Sequence, residues 1–328
     1  MVRTHNGFQS LLAVAGLLVL IFDSEAAAAG AAEGLELCIK TVIPSLFPFF
    51  VLSSVLTGTL AKADFAALRI PGRALGIPEN ATPILIPAFL GGYPVGAKCI
   101  GDLYQRKQLS RQEAQRLLAF CSNAGPSFLF GMAASFFPDR NAAWAIWLVH
   151  IAAVLLTALV IPRNPEPAPT AEPETQPAPA PVISSAAKAM GLVCCWVILF
   201  RMILTFLSQW FLWMLPPWAR VPLTGSLELV NGCCALMEIG DVKLRFVVCC
   251  CMLSCGGICV LLQTASVTQG LSLGYYCRGK LLQTLFSLLL SWGTVSGHGL
   301  VIAAPLTVLV LLFRKIQNRY GNLRPFPV

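Results

Sequence analysis

The chain has 328 residues, of which 56% are hydrophobic and only 12% are charged, about half the charged fraction of a soluble domain. A soluble fold cannot bury so much apolar surface, which excludes a cytosolic enzyme, a secreted disulfide module and a disordered protein. The net charge of +8 is typical of cytoplasmic loops in a membrane protein, and no aromatic-interleaved basic patch indicates nucleic-acid binding. We therefore predict an all-α polytopic membrane protein that contacts the lipid bilayer.

The N-terminal region, residues 1–34, contains a first apolar segment from Phe8 to Phe22. An Ala-rich stretch follows it, so the pattern fits either a cleaved signal peptide or a retained span. We favour the retained span. Residues Ala26 to Lys40 are predicted to form an amphipathic helix that leads into a second span, Thr41 to Ala61.

Three apolar regions contain too many helix breakers for continuous lipid-facing helices. They are 81–100, 122–127 and 244–267. Non-helical backbone survives at membrane depth only where protein or a polar cavity surrounds it, so these regions are predicted to be broken. The predicted breaks are at Gly91, Gly92, Pro94, Gly96, Gly125, Pro126, Gly232, Gly256 and Gly257.

Residues Pro162 to Pro181 are rich in proline, alanine and glutamate, which predicts an extended, disordered linker. With its flank, the linker (162–186) separates two predicted repeats, 35–161 and 187–313. A basic cytoplasmic tail, 314–328, follows the second repeat.

The distribution of Lys and Arg predicts the topology. Most basic loops share the cytoplasmic side if the segments 81–100 and 244–267 each enter and leave the membrane on one side. This arrangement gives about eight spanning helices, two re-entrant segments, a cytoplasmic N-terminus and two parallel repeats. Gly91-Gly92 then correspond to Gly256-Gly257. Broken segments in corresponding positions of a repeat indicate a transporter binding site.

Four motifs carry a resemblance to a known family. They are PSLFPFF (44–50), GYPVGAK (92–98), FCSNAGP (120–126) and ELVNG (228–232). Together they resemble the YlbJ family of sporulation integral membrane proteins. The resemblance implies two copies of the nucleoside-recognition Gate domain, which also occurs in concentrative nucleoside transporters. It further implies a role in spore cortex formation, a location in the mother-cell or forespore membrane, and other sporulation membrane proteins as partners.

Eight polar side chains near the breaks are candidates for binding a small solute or ion. Glu228 and Asn231 share one face if their segment is helical, and an ionisable group within a span indicates function because its burial is costly. Lys98 has an alternative as an interfacial, snorkelling lysine, and Asn123 as the cap of its own broken helix. The candidates are Tyr93, Lys98, Ser122, Asn123, Glu228, Asn231, Gln263 and Ser266.

The thirteen cysteines lack Cys-x-x-Cys spacing and neighbouring histidines, which favours a packing role over metal binding. No nucleophile-elbow, zinc-protease or phosphate-loop motif occurs. We therefore predict no catalytic site, no metal and no cofactor. The leading hypothesis is a membrane protein that handles or transports a small solute. The alternative is a membrane scaffold that recruits partners for cortex assembly through its linker.

Overall fold

The computed structural model describes residues 2–59, 66–131, 133–139, 141–163 and 179–320. Within these ranges the chain consists of helices and contains no strand, which confirms the all-α prediction. Four helical stretches are long and apolar enough to cross a membrane, so the chain is a polytopic integral membrane protein. They are Ser24–Val55, Asn141–Val160, Val182–Trp210 and Val242–Val267. Most of the predicted linker (164–178) and the end of the basic tail (321–328) lie outside the described residues.

Three helices cover the N-terminal region: α1 (Val2–Phe22), α2 (Ser24–Leu37) and α3 (Ile43–Thr59). A π-helical turn, Cys38–Val42, joins α2 to α3 without a loop. The predicted lead-in helix therefore continues into the predicted second span with no break at Lys40. Both parts belong to one continuous helical stretch.

A helical hairpin occupies the first glycine-rich region. After α4 (Ala66–Leu75), it consists of a 3-10 turn (Glu79–Ile84), α5 (Leu85–Leu90) and α6 (Val95–Gln105). The side chain of Asn80 donates to the carbonyl of Gln108 (2.7 Å), so both ends of the hairpin lie on one face of the molecule. This agrees with the re-entrant prediction for 81–100. The hairpin turns at 91–94, where Gly92 adopts a φ of +78°.

An interrupted helix comes next, followed by a continuous one. These elements are α7 (Arg111–Leu118), α8 (Pro126–Gly131) and α9 (Asn141–Val160). Residues 119–125 between α7 and α8 are not helical, as the polar and Gly-Pro run there predicts. The guanidinium of Arg116 donates to the carbonyls of Leu75 and Gly76 (2.8 and 3.2 Å), which ties α7 to the end of α4.

The second half has the same order of elements. They are α10 (Pro179–Trp210), α11 (Pro217–Leu227), α12 (Leu229–Cys234), α13 (Val242–Cys255), α14 (Gly257–Val267), α15 (Gly274–Val295) and α16 (Gly299–Tyr320). Helices α11 and α12 form a second hairpin. Arg220 near its start pairs with Glu238 just after its end (2.6 Å), so both ends lie on one face. Helix α10 already occupies positions 179–186, which the sequence assigned to the linker.

Two long-range hydrogen bonds decide which segments cross the molecule. Arg245 donates to the carbonyl of Phe136 (2.9 Å), and Gln105 donates to the carbonyl of Gln269 (3.1 Å). The stretch Val242–Val267 between these contacts has 26 residues, enough to cross a membrane, and these contacts place its two ends on opposite faces. The prediction that 244–267 is re-entrant is therefore wrong, because this broken helix crosses the molecule. The second re-entrant element is the α11–α12 hairpin.

The internal repeat is consequently inverted rather than parallel. Each unit is a hairpin, a broken helix and a continuous helix, over 79–160 and 217–295, and the two hairpins enter from opposite faces. The predicted correspondence of Gly91-Gly92 with Gly256-Gly257 is wrong. By position in the unit, the first hairpin turn corresponds to the turn at Glu228, and the break at Gly256 corresponds to 119–125. Loop charge alone did not distinguish a hairpin from a broken crossing helix.

Two of the predicted breaks are instead helix positions of close approach. Gly96 lies within α6 and Gly232 within α12. A Cβ on Gly96 would lie 1.9 Å from the carbonyl oxygen of Cys121, and one on Gly232 would lie 2.2 Å from the Cα of Gly225. These glycines let two backbones touch, the usual role of small residues in membrane-helix packing.

The largest apolar core lies between α9, α13 and α15. It includes Ile146, Leu253 and Phe286, which are almost fully buried. Many large apolar side chains on the outside of the bundle are exposed, such as Leu300 (86%) and Trp213 (65%). A bilayer would solvate these side chains, so their exposure fits a protein surrounded by lipid.

Candidate functional site

The turns of the two hairpins meet at a small internal cavity of about 60 Å³, here called the inner cavity. The first hairpin contributes Gly92 and Tyr93, the break after α7 contributes Gly125, and the second hairpin contributes Glu228. Helix α14 contributes Gln263. Three predicted site residues, Tyr93, Glu228 and Gln263, therefore line one cavity, although they come from both halves of the chain.

Both hairpin turns contact a broken helix through backbone. A Cβ on Gly125 would lie 2.8 Å from the amide nitrogen of Gly92, and one on Gly257 would lie 2.8 Å from the carbonyl oxygen of Gly225. Gly257 also has a φ of +82°, which glycine adopts without strain. Only glycine allows such contacts, and at the first break they put backbone groups beside the cavity.

Glu228 is the buried carboxylate of the site, with 1% of its surface exposed. It caps α12 by accepting from the backbone N–H groups of Val230 and Asn231 (3.2 and 2.7 Å). It also accepts from the side-chain amide of Asn231 (2.6 Å). Arg201 in turn donates to the amide oxygen of Asn231 (2.8 Å). Hydrogen bonds to an ionised acceptor are the strong class, so this network holds the carboxylate in place.

A much larger crevice of about 710 Å³, here called the outer crevice, opens on the face of Arg220 and Glu238. Three ion pairs line it: Arg201–Glu33, Arg220–Glu238 and Lys40–Glu36. Thr41 borders both the outer crevice and the inner cavity. Asn231 faces the crevice while Glu228 faces the cavity, so this hydrogen-bonded pair separates the two spaces.

The most unusual group near the inner cavity is Lys280 on α15, which the sequence analysis missed. Only 5% of its surface is exposed. Its Nζ donates to the carbonyl of Ser122 (2.5 Å), to Oε1 of Gln283 (2.7 Å) and to Oη of Tyr93 (3.0 Å). Oδ1 of Asn123 lies 3.4 Å away. Ser122, Asn123 and Tyr93 thus surround this side chain, and of the three only Tyr93 also lines the inner cavity.

Lys280 was missed because it was placed at the end of a basic loop, just before an apolar run. Helix α15 begins earlier, at Gly274. A signal was present in the sequence. Lys280, Gln283, Ser287 and Ser291 recur at helical spacing, and all four are buried. A polar row of this kind on an apolar helix indicates a face turned toward protein.

Asn123 stabilises the break after α7 and does not line the inner cavity. Its Nδ2 donates to the carbonyl of Phe120 within the break (2.7 Å), while its Oδ1 faces Lys280. Tyr93 connects the halves in a similar way, since its hydroxyl donates to the carbonyl of Leu253 (3.0 Å). The broken ends of both units are therefore joined by side chains.

Two predicted residues have partners away from the inner cavity. Lys98 forms an ion pair with Asp102 (2.6 Å) and donates to Ser54 (3.1 Å). It is buried, so the snorkelling alternative does not describe it. Ser266 accepts from the indole N–H of Trp196 (2.8 Å) and joins α14 to α10. Neither side chain lines the cavity.

In the part of the chain that the structure describes, no three His, Cys, Asp or Glu side chains are grouped as metal ligands. All thirteen cysteines are free thiols. Many of them lie in the apolar core, including Cys233, Cys249 and Cys250.

The fold and the site define a class: a polytopic integral membrane protein in which two inverted hairpins meet at a small cavity that holds the buried Glu228. The chain is similar to the sporulation integral membrane protein YlbJ of Bacillus subtilis (strain 168), with 36% identity over 124 residues. The matched stretch is 35% of this chain, and the chain spans 28% of the length of that relative. This similarity confirms the resemblance that the sequence motifs indicate. No family model and no solved structure matches the chain.

Proposed function

We propose that the protein handles a small polar solute or ion at the inner cavity, and that it does so during sporulation in support of spore cortex formation. One observation carries this proposal: two inverted hairpins place their turns, the first helix break and the buried Glu228 around one cavity. In transporters built from inverted repeats, discontinuous helices in corresponding positions form the binding site. The relative named as a sporulation integral membrane protein supplies the biological setting.

The two cavities suggest a route for the solute. The outer crevice is wide, open and charged, whereas the inner cavity is small and closed from it by Glu228 and Asn231. Rocking of one repeat against the other would open this partition, which is how alternating access operates around a fixed site. In this reading Arg201 acts as a positioning residue, because it holds Asn231 from the crevice side.

The size of the inner cavity describes a closed state. A cavity needs about 10–15 Å³ to hold one water molecule, so the roughly 60 Å³ cavity accommodates a few waters, a partly hydrated ion or a small solute. A larger solute, such as the nucleosides that the Gate-domain resemblance suggests, would require the hairpins to separate. We propose no catalytic role, since the site lacks a nucleophile paired with a base.

The test uses a spore-forming host that needs the protein. Alanine at Glu228 and at Gln263 should lower the count of heat-resistant spores at least tenfold, with membrane levels checked by immunoblot. Alanine at Lys98 and at Ser266, which lie outside the cavity, provides the matched controls. Normal sporulation by both cavity variants, at normal abundance, would contradict the proposal. If deleting the linker abolished sporulation in that case, the scaffold alternative would replace it.

The solute itself can be sought by thermal unfolding of the purified chain with nucleosides, dipicolinate, cell-wall precursors and metal ions. A ligand at a hundredfold excess over its Kd adds about 2.7 kcal/mol to the free energy of unfolding. A solute bound in the inner cavity should lose this effect in the Gln263→Ala variant and keep it in Ser266→Ala. A shift that survives in both variants would place the binding elsewhere.

A further inference from the structure

The ligand set around Lys280 resembles that of a monovalent metal ion. Its Nζ faces four oxygen atoms: a backbone carbonyl, two side-chain amide oxygens and a hydroxyl. Three of these oxygens belong to the first hairpin turn and the first break, and the fourth belongs to α15. Neutral oxygens gathered at unwound helix ends are the groups that coordinate Na⁺ in transporters with broken helices.

The ammonium also lacks an anionic partner. Among the described residues, no carboxylate lies within ion-pair distance of Lys280, whereas the other buried lysine considered above, Lys98, pairs with Asp102. A buried charge is normally paired, and an ionisable group within a membrane bundle indicates function. Here hydrogen bonds replace the counter-ion, with three hydrogens shared among four acceptors. The ring of Tyr93, whose centroid is 4.9 Å from Nζ, adds a cation–π contact.

We propose that the oxygen cluster of Tyr93, Ser122, Asn123 and Gln283 is a monovalent-cation site filled by the tethered ammonium of Lys280. We further propose that loss of the Lys280 proton releases the site. The bound ammonium joins the first hairpin and the first break to α15 of the second unit. Deprotonation leaves Nζ with two hydrogens and one lone pair, and this lone pair then faces the lone pairs of the surrounding oxygens. The released proton passes to water. The site thus exchanges a proton, and no free metal ion enters it while Lys280 is charged.

The other titratable side chains around Lys280 are tyrosines, cysteines and one histidine. Tyr93 and Tyr276 face it with their rings. Cys121, Cys255 and His150 on α9 are the other titratable side chains near it. None of these is a carboxylate, so no nearby negative charge fixes the ammonium in its charged form. The cation site stands on this geometry alone, whereas its part in a transport cycle rests on the proposed function.

The first test is chemical rescue of the purified full chain. The Lys280→Ala variant should unfold about 5–10 °C below the wild type in choline chloride. Sodium or methylammonium chloride at the same ionic strength should restore about half of that loss, saturably. The matched control is Phe286→Ala on the same helix, which loses a buried apolar side chain and should gain nothing from these cations. The double variant with Gln283→Leu should respond more weakly than K280A.

Recovery is the readout if K280A does not survive purification. More folded monomer should then elute in size-exclusion chromatography after solubilisation in methylammonium than in choline. In the unfolding experiment, equal responses of K280A and F286A to every cation would overturn the site. In the recovery experiment, the site would be overturned if K280A gave the same amount of folded monomer in methylammonium as in choline, or no folded monomer in either salt.

The second test concerns the proton. Lys280→Arg keeps a cation but does not release its proton at biological pH. At normal membrane abundance it should reduce heat-resistant spores as strongly as E228A, whereas normal sporulation by K280R would overturn the release step. The two proposals fail separately. Rescue of K280A by cations does not involve a solute, so it would persist even if the cavity variants sporulated normally.

Discussion

Each hairpin contacts a broken helix through closely packed glycine backbone, and we call these two contacts the hairpin crossings. A positively charged side chain stabilises the first crossing, and a negatively charged one stabilises the second. In the first unit, Gly92 packs on Gly125, and the ammonium of Lys280 holds the crossing together from 158 residues away. In the second unit, Gly257 packs on Gly225, and the carboxylate of Glu228 bonds to Asn231, only three residues away. One crossing thus depends on a distant helix, while the other depends on a local cap. The difference implies that Lys280 couples the two units, whereas Glu228 acts within its own unit and, through Asn231 and Arg201, on α10.

The inverted arrangement itself has the largest, all-or-none consequence. Asp139 and Asp241 are exposed on one face, and Lys107 and Gln269 on the other. Since the latter face carries most of the basic loops, we expect it to be cytoplasmic. Cysteine placed at the first two positions should react with an impermeant maleimide on intact cells. Cysteine at the other two should react only after permeabilisation.

In this labelling experiment the exposed native cysteines, Cys195, Cys234 and Cys277, are first replaced by serine. A parallel repeat with a re-entrant 244–267 segment would put residue 241 on the same side as residue 107. Identical labelling of D241C and K107C would therefore refute the inverted repeat.

The next largest effect tests whether both hairpin crossings require glycine, which has no side chain between the two backbones. Alanine at Gly125 or at Gly257 would put a methyl group about 2.8 Å from backbone atoms that cannot move independently. Overpacking of this kind costs up to about 3 kcal/mol, so either variant should lower the unfolding midpoint by about 6–12 °C. Gly191→Ala on α10, where nothing lies within 4 Å, should be neutral or stabilising. A midpoint for G125A equal to that of G191A would show that the first crossing is looser than described.

A smaller effect is expected when the buried helix cap Glu228 is compared with the exposed helix cap Asp241. Glu228→Ala removes an acceptor from two backbone N–H groups and one side-chain amide, which should cost about 2 kcal/mol in the free energy of unfolding. Asp241→Ala removes the exposed cap of α13 and should cost about 1 kcal/mol. Denaturant titration of both variants makes the comparison. Equal losses would mean that burial adds nothing to the Glu228 cap.

The smallest effect is expected at the crevice. Glu33→Gln removes a partly exposed ion pair with Arg201, a class of interaction worth about 0–1 kcal/mol. The unfolding midpoint should therefore change little, and what change occurs should shrink as salt rises. Arg201 would still hold Asn231. A large loss of stability in E33Q, insensitive to salt, would show that the Glu33–Arg201 pair is part of the buried network.

The helix breaks were predictable because their cause is local. Clusters of glycine, proline and small polar residues disrupt helices wherever they occur, and the hairpin turn at Gly92 and the breaks at Asn123 and Gly256 follow from them. Of these three, the hairpin turn and the first break line the inner cavity, whereas the break at Gly256 does not. Three of the eight predicted site residues line that cavity.

The orientation of the second unit could not be predicted in the same way. A hairpin and a crossing helix have similar composition, and only distant contacts such as Arg220–Glu238 and Arg245–Phe136 distinguish them. Lys280 was missed for a related reason. A lysine beside a loop is usually interfacial, and its burial depends on partners more than 150 residues away.

The π-turn at Cys38–Val42 determines how a single helix lines both cavities. Residues four apart on an α-helix rotate by about 40° at each step around its axis, so a file of such residues winds away from any one neighbour. The wider turn of a π-helix, closed between residues five apart, offsets this winding. Glu33, Leu37, Thr41 and Ser45 therefore stay on one side of the helix, with Glu33 and Leu37 beside the crevice, Ser45 beside the cavity and Thr41 beside both. One local widening of the helix thus gives the entrance and the inner site a common wall.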